Sequence, residues 1–216
     1  MTERGRGRAG LLARALRLEH LTVGWNVVEG VIAIGAALAA GSVALLGFGI
    51  DSFVESVSGA ILIWRLRAEI AGDRDEDAIE VVERRAERLV GISFFVLAAY
   101  IAFDAVTTLL SGERPEASPV GIVLTTVSIA VMLWLARAKR RVAAELDSHA
   151  LAADAEQTQA CWYLSVVVLA GIGLNALFGW WWADPVAALG VVVLLLREGV
   201  EAWRGEHEQD ADDLEP

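Results

Sequence analysis

Six long apolar blocks, separated by short charged stretches, dominate this chain and decide what it can fold into. A span needs about 20 consecutive apolar residues to cross the hydrocarbon core. Blocks of that length occur at roughly 21–40, 42–65, 89–110, 118–136, 161–180 and 183–203. A soluble core of this size would show short periodic stripes instead. Hydrophobic residues make up 56% of the 216, and the mean hydropathy is +0.50, which fits a multi-span membrane protein. The expected fold is all-α, a bundle of six transmembrane helices.

The basic residues set an expected orientation. Of eighteen Lys and Arg, only Arg114 falls in the connections after blocks one, three and five. The others lie in the first 17 residues, between Arg65 and Arg88, between Arg137 and Arg141, and at Arg197 and Arg204. The positive-inside rule assigns that side, with both termini, to the cytoplasm of a cell membrane. The resulting division is a basic cytoplasmic arm (1–18), a six-span domain (19–204) and an acidic disordered tail (205–216). No cleavable signal peptide is visible, because the basic N-terminus lacks an apolar core followed by a small-residue cleavage site.

The net charge of −11 resides largely in the 73–87 connection and in the tail, which reads as solvated rather than as a metal-delivery arm around His207. This acidity argues against a nucleic-acid partner. The lone Cys161 excludes an internal disulfide framework and a thiolate zinc cage. No H-E-x-x-H or G-x-S-x-G motif is present, and no enzymatic activity is expected.

Chemistry concentrates inside the apolar blocks. Asp51 and Glu55 lie four residues apart in the second, hence on one helix face. A carboxylate at mid-membrane costs about 2.5–3.5 kcal/mol on insertion scales, so two converging ones suggest a cation or proton site. On the fifth helix, Asp154, Gln157 and Cys161 share one stripe. Gln157 offers a carbonyl oxygen and Cys161 a thiolate. Each also suits a plain structural role, an interhelical hydrogen bond for Gln157 and a small buried hydrophobe for Cys161. Asn26 and Glu29 share a face of the first block, as a packing pair or as a vestibule in which Glu29 takes part. Asp104 is a further intramembrane carboxylate that could pair with another span or support a proton path. Gly41-Ser42 marks a tight break, and Gly47, Gly49, Ser52, Ser56 and Gly59 permit close helix approach. The Trp180–Trp182 run suits an interfacial anchor, and Asp184-Pro185 suits the start of the last helix, with Asp184 as its N-cap and Pro185 at its first position. His149 reads as a surface histidine.

The segments N26-V-V-E-G, G41-S-V-A-L-L-G-F-G-I-D-S-F-V-E-S, L151-A-A-D-A, N175 and W182-A-D-P-V-A-A-L together resemble the cation diffusion facilitator transporters over about residues 18 to 204. The resemblance implies a six-span domain that forms homodimers and exports divalent metal from the cytoplasm in exchange for protons. It also implies one metal site built from Asp51 and Glu55 on the second span with Gln157 and Cys161 on the fifth. Glu29, Asp104 and Asp154 are candidate accessory polar residues. Gln157 stands where the family usually has histidine, and Cys161 where it has aspartate, so zinc is not the assumed cargo. The short segment after Arg204 leaves no room for the soluble domain many relatives carry. No permanently bound cofactor is expected; metal ions, protons and the bilayer are the expected partners. The alternative is a metal-sensing or transport-inactive membrane relative of the same fold.

Overall fold

Glycines in the left-handed region stop three of the helices: Gly41 (φ 65°), Gly112 (φ 68°) and Gly179 (φ 67°). That conformation costs glycine nothing, because it has no Cβ. Serines cap two of the helix starts. Ser118 Oγ accepts from the Gly121 amide ahead of Pro119, and Ser148 Oγ accepts from the Leu151 amide.

The computed structural model describes residues 3–71 and 76–212, with side chains described for 7–70, 91–148 and 150–200. Within them the chain forms α1 (Glu3–Ala40), α2 (Val43–Ala71), α3 (Glu76–Ser111), α4 (Pro119–Leu146), α5 (His149–Phe178) and α6 (Ala183–Asp212). The all-α bundle expected from the sequence is therefore present. Five helices contain stretches long and apolar enough to cross a membrane: Gly7–Ala40, Val43–Ile70, Gly91–Ser111, Pro119–Leu146 and Ala150–Phe178. The sixth expected span, α6, does not meet that standard among the described residues, since Asp184, Arg197 and Glu198 interrupt its apolar run.

Several boundaries move. The expected N-terminal arm is the start of α1, and Leu12, Ala15 and Leu18 are buried in the core. Helix α4 continues through the basic run 137–141, so those residues are helical rather than part of a loop. The 205–216 segment, expected to be disordered, is helical through Asp212, and 213–216 lie outside the described residues. So do 72–75 of the acidic connection and the side chains of His149 and His207.

Asp184 corrects a second expectation. It lies inside the first turn of α6 rather than capping that helix. Its carboxylate instead accepts from Ser42 Oγ (2.5 Å), Val43 N (3.0 Å) and Ala44 N (3.4 Å), at the N-terminus of α2. Those amides are among the donors that a helix start leaves unpaired. The caps of α2 and the beginning of α6 are thus one structure.

Two apolar clusters pack the bundle. One gathers Ala33, Val43, Leu45, Phe48, Ile101, Val168 and Val191 with their neighbours; the other gathers Leu12, Leu18, Leu66, Met132, Leu135 and Leu151. Between them in register, α1, α2 and α5 bury a polar layer. It contains Glu19, Thr22, Asn26 and Glu29; Asp51, Ser52, Glu55 and Ser56; and Thr158, Cys161 and Ser165. Helices α1 and α2 are the most extensively packed pair. A Cβ on Gly30 would meet Gly49 O at 3.0 Å, so glycine sets how near these two backbones come.

Candidate metal centre

The polar layer is positioned by helical periodicity. The i, i+4 spacing turns Asp51 and Glu55 inward together, and they are 6% and 3% exposed. Cys161 faces them from α5, 7% exposed, and its Sγ donates to Asp51 Oδ2 at 3.7 Å. That bond joins α2 to α5. Both Glu55 carboxylate oxygens are buried and make no hydrogen bond among the described residues.

Gln157 sits differently. It is half-buried, and its Oε1 accepts from Ser58 Oγ at 3.2 Å, an interhelical bond from α2 to α5. The carbonyl oxygen expected to face an ion is therefore engaged one turn away. No three His, Cys, Asp or Glu side chains among the described residues are gathered closely enough to hold a metal ion. Asp51 and Cys161 are in contact, and Glu55 stands one turn along from Asp51.

The accessory candidates separate. Glu29 is buried on the α1 face of the layer, where Oε1 accepts from Trp25 Nε1 and Oε2 from Ser52 Oγ, each at 3.2 Å. Because Ser52 adjoins Asp51, this ties α1 to the candidate site. Its neighbour Asn26 is 0% exposed, and neither atom of its amide group makes a hydrogen bond among the described residues. Asp104 is half-buried on α3, and the groups that act most strongly on Asp51 and Glu55 do not include it.

Asp154 belongs to a neighbouring cluster. Lys139 Nζ lies 2.5 Å from Asp154 Oδ2, 3.0 Å from Glu19 Oε2 and 3.2 Å from Thr158 Oγ1. The Lys139 and Glu19 side chains are 0% exposed, which makes this a buried ion triad joining α1, α4 and α5. Lys139 also acts on Glu55 electrostatically.

Sequence reasoning missed three of these residues. Lys139 was grouped with Arg137, Arg140 and Arg141 as a basic run. Its position gives a signal: Met132, Leu135, Ala136, Lys139, Val142, Ala143 and Leu146 form one buried stripe of α4 at spacings of three and four. Glu19 continues the inner face of α1 that includes Thr22, Asn26 and Glu29. Glu198, half-buried on α6, acts electrostatically on both Asp51 and Cys161. Its place beyond the apolar run of α6 gave no such signal.

A family model, that of the cation efflux transmembrane domain, matches residues 21–204. The chain belongs to the cation efflux family. Among relatives of this cation efflux protein is an uncharacterized Synechocystis transporter, sll1263, 30% identical over 87% of this chain and 59% of its own length. The magnetosome protein MamB of a Magnetospira species is 25% identical over 84% of this chain and 61% of its own. The cation-efflux pump FieF of Klebsiella pneumoniae is 27% identical over 75% of this chain and 56% of its own. The chain thus spans about three-fifths of the length of these curated relatives. Membership and the five span-length helices place it among multi-pass membrane proteins.

Proposed function

We propose that this cation efflux protein exports a divalent metal ion from the cytoplasm through the Asp51, Glu55, Cys161 and Gln157 centre, in exchange for protons. The Cys161–Asp51 contact carries this reading. A thiol that donates to a carboxylate holds its proton where a cation would be bound by both groups. Metal binding requires the thiolate, so loading the site expels that proton. Two carboxylates from α2 then supply hard oxygen donors, Cys161 a soft one, and Gln157 a neutral oxygen once it leaves Ser58.

Export follows from alternating access. With the centre open to the cytoplasm, the ion displaces protons; rocking of the bundle exposes it outward; reprotonation there weakens binding and releases it. Both termini lie in the cytoplasm in this scheme, and two copies form a homodimer. The relative named a cation-efflux pump supports this reading.

A second reading is a metal sensor or transport-inactive relative. The engagement of Gln157 by Ser58 favours it, because one expected donor is already satisfied. Reconstituted protein separates the two. Metal uptake into proteoliposomes, lost in Asp51→Asn, supports export; metal binding with no uptake supports the sensor. Wild-type uptake of every tested metal by Asp51→Asn removes the site assignment.

A further inference from the structure

Asn26 is a polar side chain of the buried layer that the export scheme leaves unused. Its amide is 0% exposed, and neither its Oδ1 nor its Nδ2 makes a hydrogen bond among the described residues. An unsatisfied buried amide is unfavourable, and buried polar groups in folded proteins are nearly always paired. Both oxygens of Glu55 share that condition.

The helix register brings the two together. Glu29 bonds Ser52, and Gly59 packs against Val23, so antiparallel α1 and α2 place Asn26 level with Glu55. Asn26 is also among the groups that act on Glu55, although the pair does not reach hydrogen-bond geometry. Each side chain faces the other with donor or acceptor capacity unspent.

We propose that Asn26 is a metal donor from a third helix, its amide oxygen joining Glu55, Asp51, Cys161 and Gln157 around the ion. This rests on the site reading given above and deepens it. A donor set larger than four and rich in oxygen disfavours a strictly tetrahedral ion such as zinc and suits ions that accept more oxygen ligands, manganese(II) being the probe. Asn26 is then a residue that sets selectivity, and its unpaired amide is the cost of that role.

The test uses the full chain in detergent with Co2+, Mn2+ and Zn2+ as probes. The d–d absorption of Co2+ is strong in tetrahedral sites and weak at higher coordination, and a thiolate ligand adds a sulfur-to-cobalt charge-transfer band. Wild type is expected to show weak d–d bands together with charge transfer. In Asn26→Leu the d–d bands should strengthen and Mn2+ affinity should fall about tenfold or more, with a smaller change for Zn2+. Asn26→Asp, which puts a carboxylate oxygen in place of the amide oxygen, should hold Mn2+ more tightly than wild type. An Asn26→Leu spectrum and Mn2+ affinity equal to wild type overturn the proposal while leaving the Cys161 site intact. If Asn26→Leu does not fold, Asn26→Asp decides: tighter Mn2+ binding supports the role and unchanged binding overturns it. A wild-type Co2+ complex without charge transfer removes Cys161 from the site, and the proposal with it.

Discussion

The thiol of Cys161 on α5 donates to the carboxylate of Asp51 on α2, sulfur and oxygen 3.7 Å apart, both side chains nearly sealed from solvent. One soft and one hard ligand therefore meet at a single contact between two helices. Cys161→Asp replaces the soft one. Uptake in proteoliposomes should then shift from Cd2+ toward Mn2+, with the ratio of rates changing roughly tenfold. An unchanged ratio makes Cys161 a packing residue.

Lys139 pairs with the carboxylates of both Glu19 and Asp154 inside the bundle. Removing one member of a buried ion cluster leaves uncompensated charge and costs about 3–5 kcal/mol. Lys139→Met should lower the thermal midpoint of the detergent-solubilised protein sharply. The triple variant Glu19→Gln, Lys139→Met, Asp154→Asn should recover most of the loss. If Lys139→Met alone is as stable as wild type, the triad is not intact in solution.

Asp184 holds the start of α2 from the start of α6 through Ser42, Val43 and Ala44. Asp184→Ala strands these buried donors at a cost of about 1–3 kcal/mol. Hydrogen exchange at the Val43 and Ala44 amides should accelerate, and less so in Asp184→Asn, which retains an acceptor oxygen.

Glycine at position 49 lets α1 and α2 close. A Cβ there would stand 2.8 Å from Ile34 Cγ1 and 3.0 Å from Ala33 Cβ. Gly49→Val should therefore destabilise by about 1–3 kcal/mol through overpacking. Gly24→Ala on α1, where a Cβ meets nothing within 4 Å, is the matched control and should be near neutral.

Much of this architecture was legible in the residues. Apolar block length located the helices, and i, i+4 spacing turned Asp51 with Glu55 inward. The stripe on α5 put Asp154, Gln157 and Cys161 on one face, but periodicity gives a face and not the neighbour across it. Cys161 met Asp51. Asp154 met Lys139, and Gln157 met Ser58. Asp184 failed for a related reason. Its sequence context with Pro185 described its own helix, whereas its bonds go to residues about 140 positions away. Lys139 was hidden by composition: one buried lysine among exposed arginines looks like a surface run until the α4 stripe is traced through it.

Proton release on metal binding tests the central claim most directly. Calorimetric titration of the full chain with Zn2+ or Cd2+, repeated in buffers of different ionisation enthalpy, counts the protons expelled per ion bound. Because Cys161 carries the proton it donates to Asp51, wild type should release protons, and Cys161→Ala should release about one fewer. Equal release by wild type and Cys161→Ala, with metal affinity undiminished, would contradict a cation held jointly by Cys161 and Asp51.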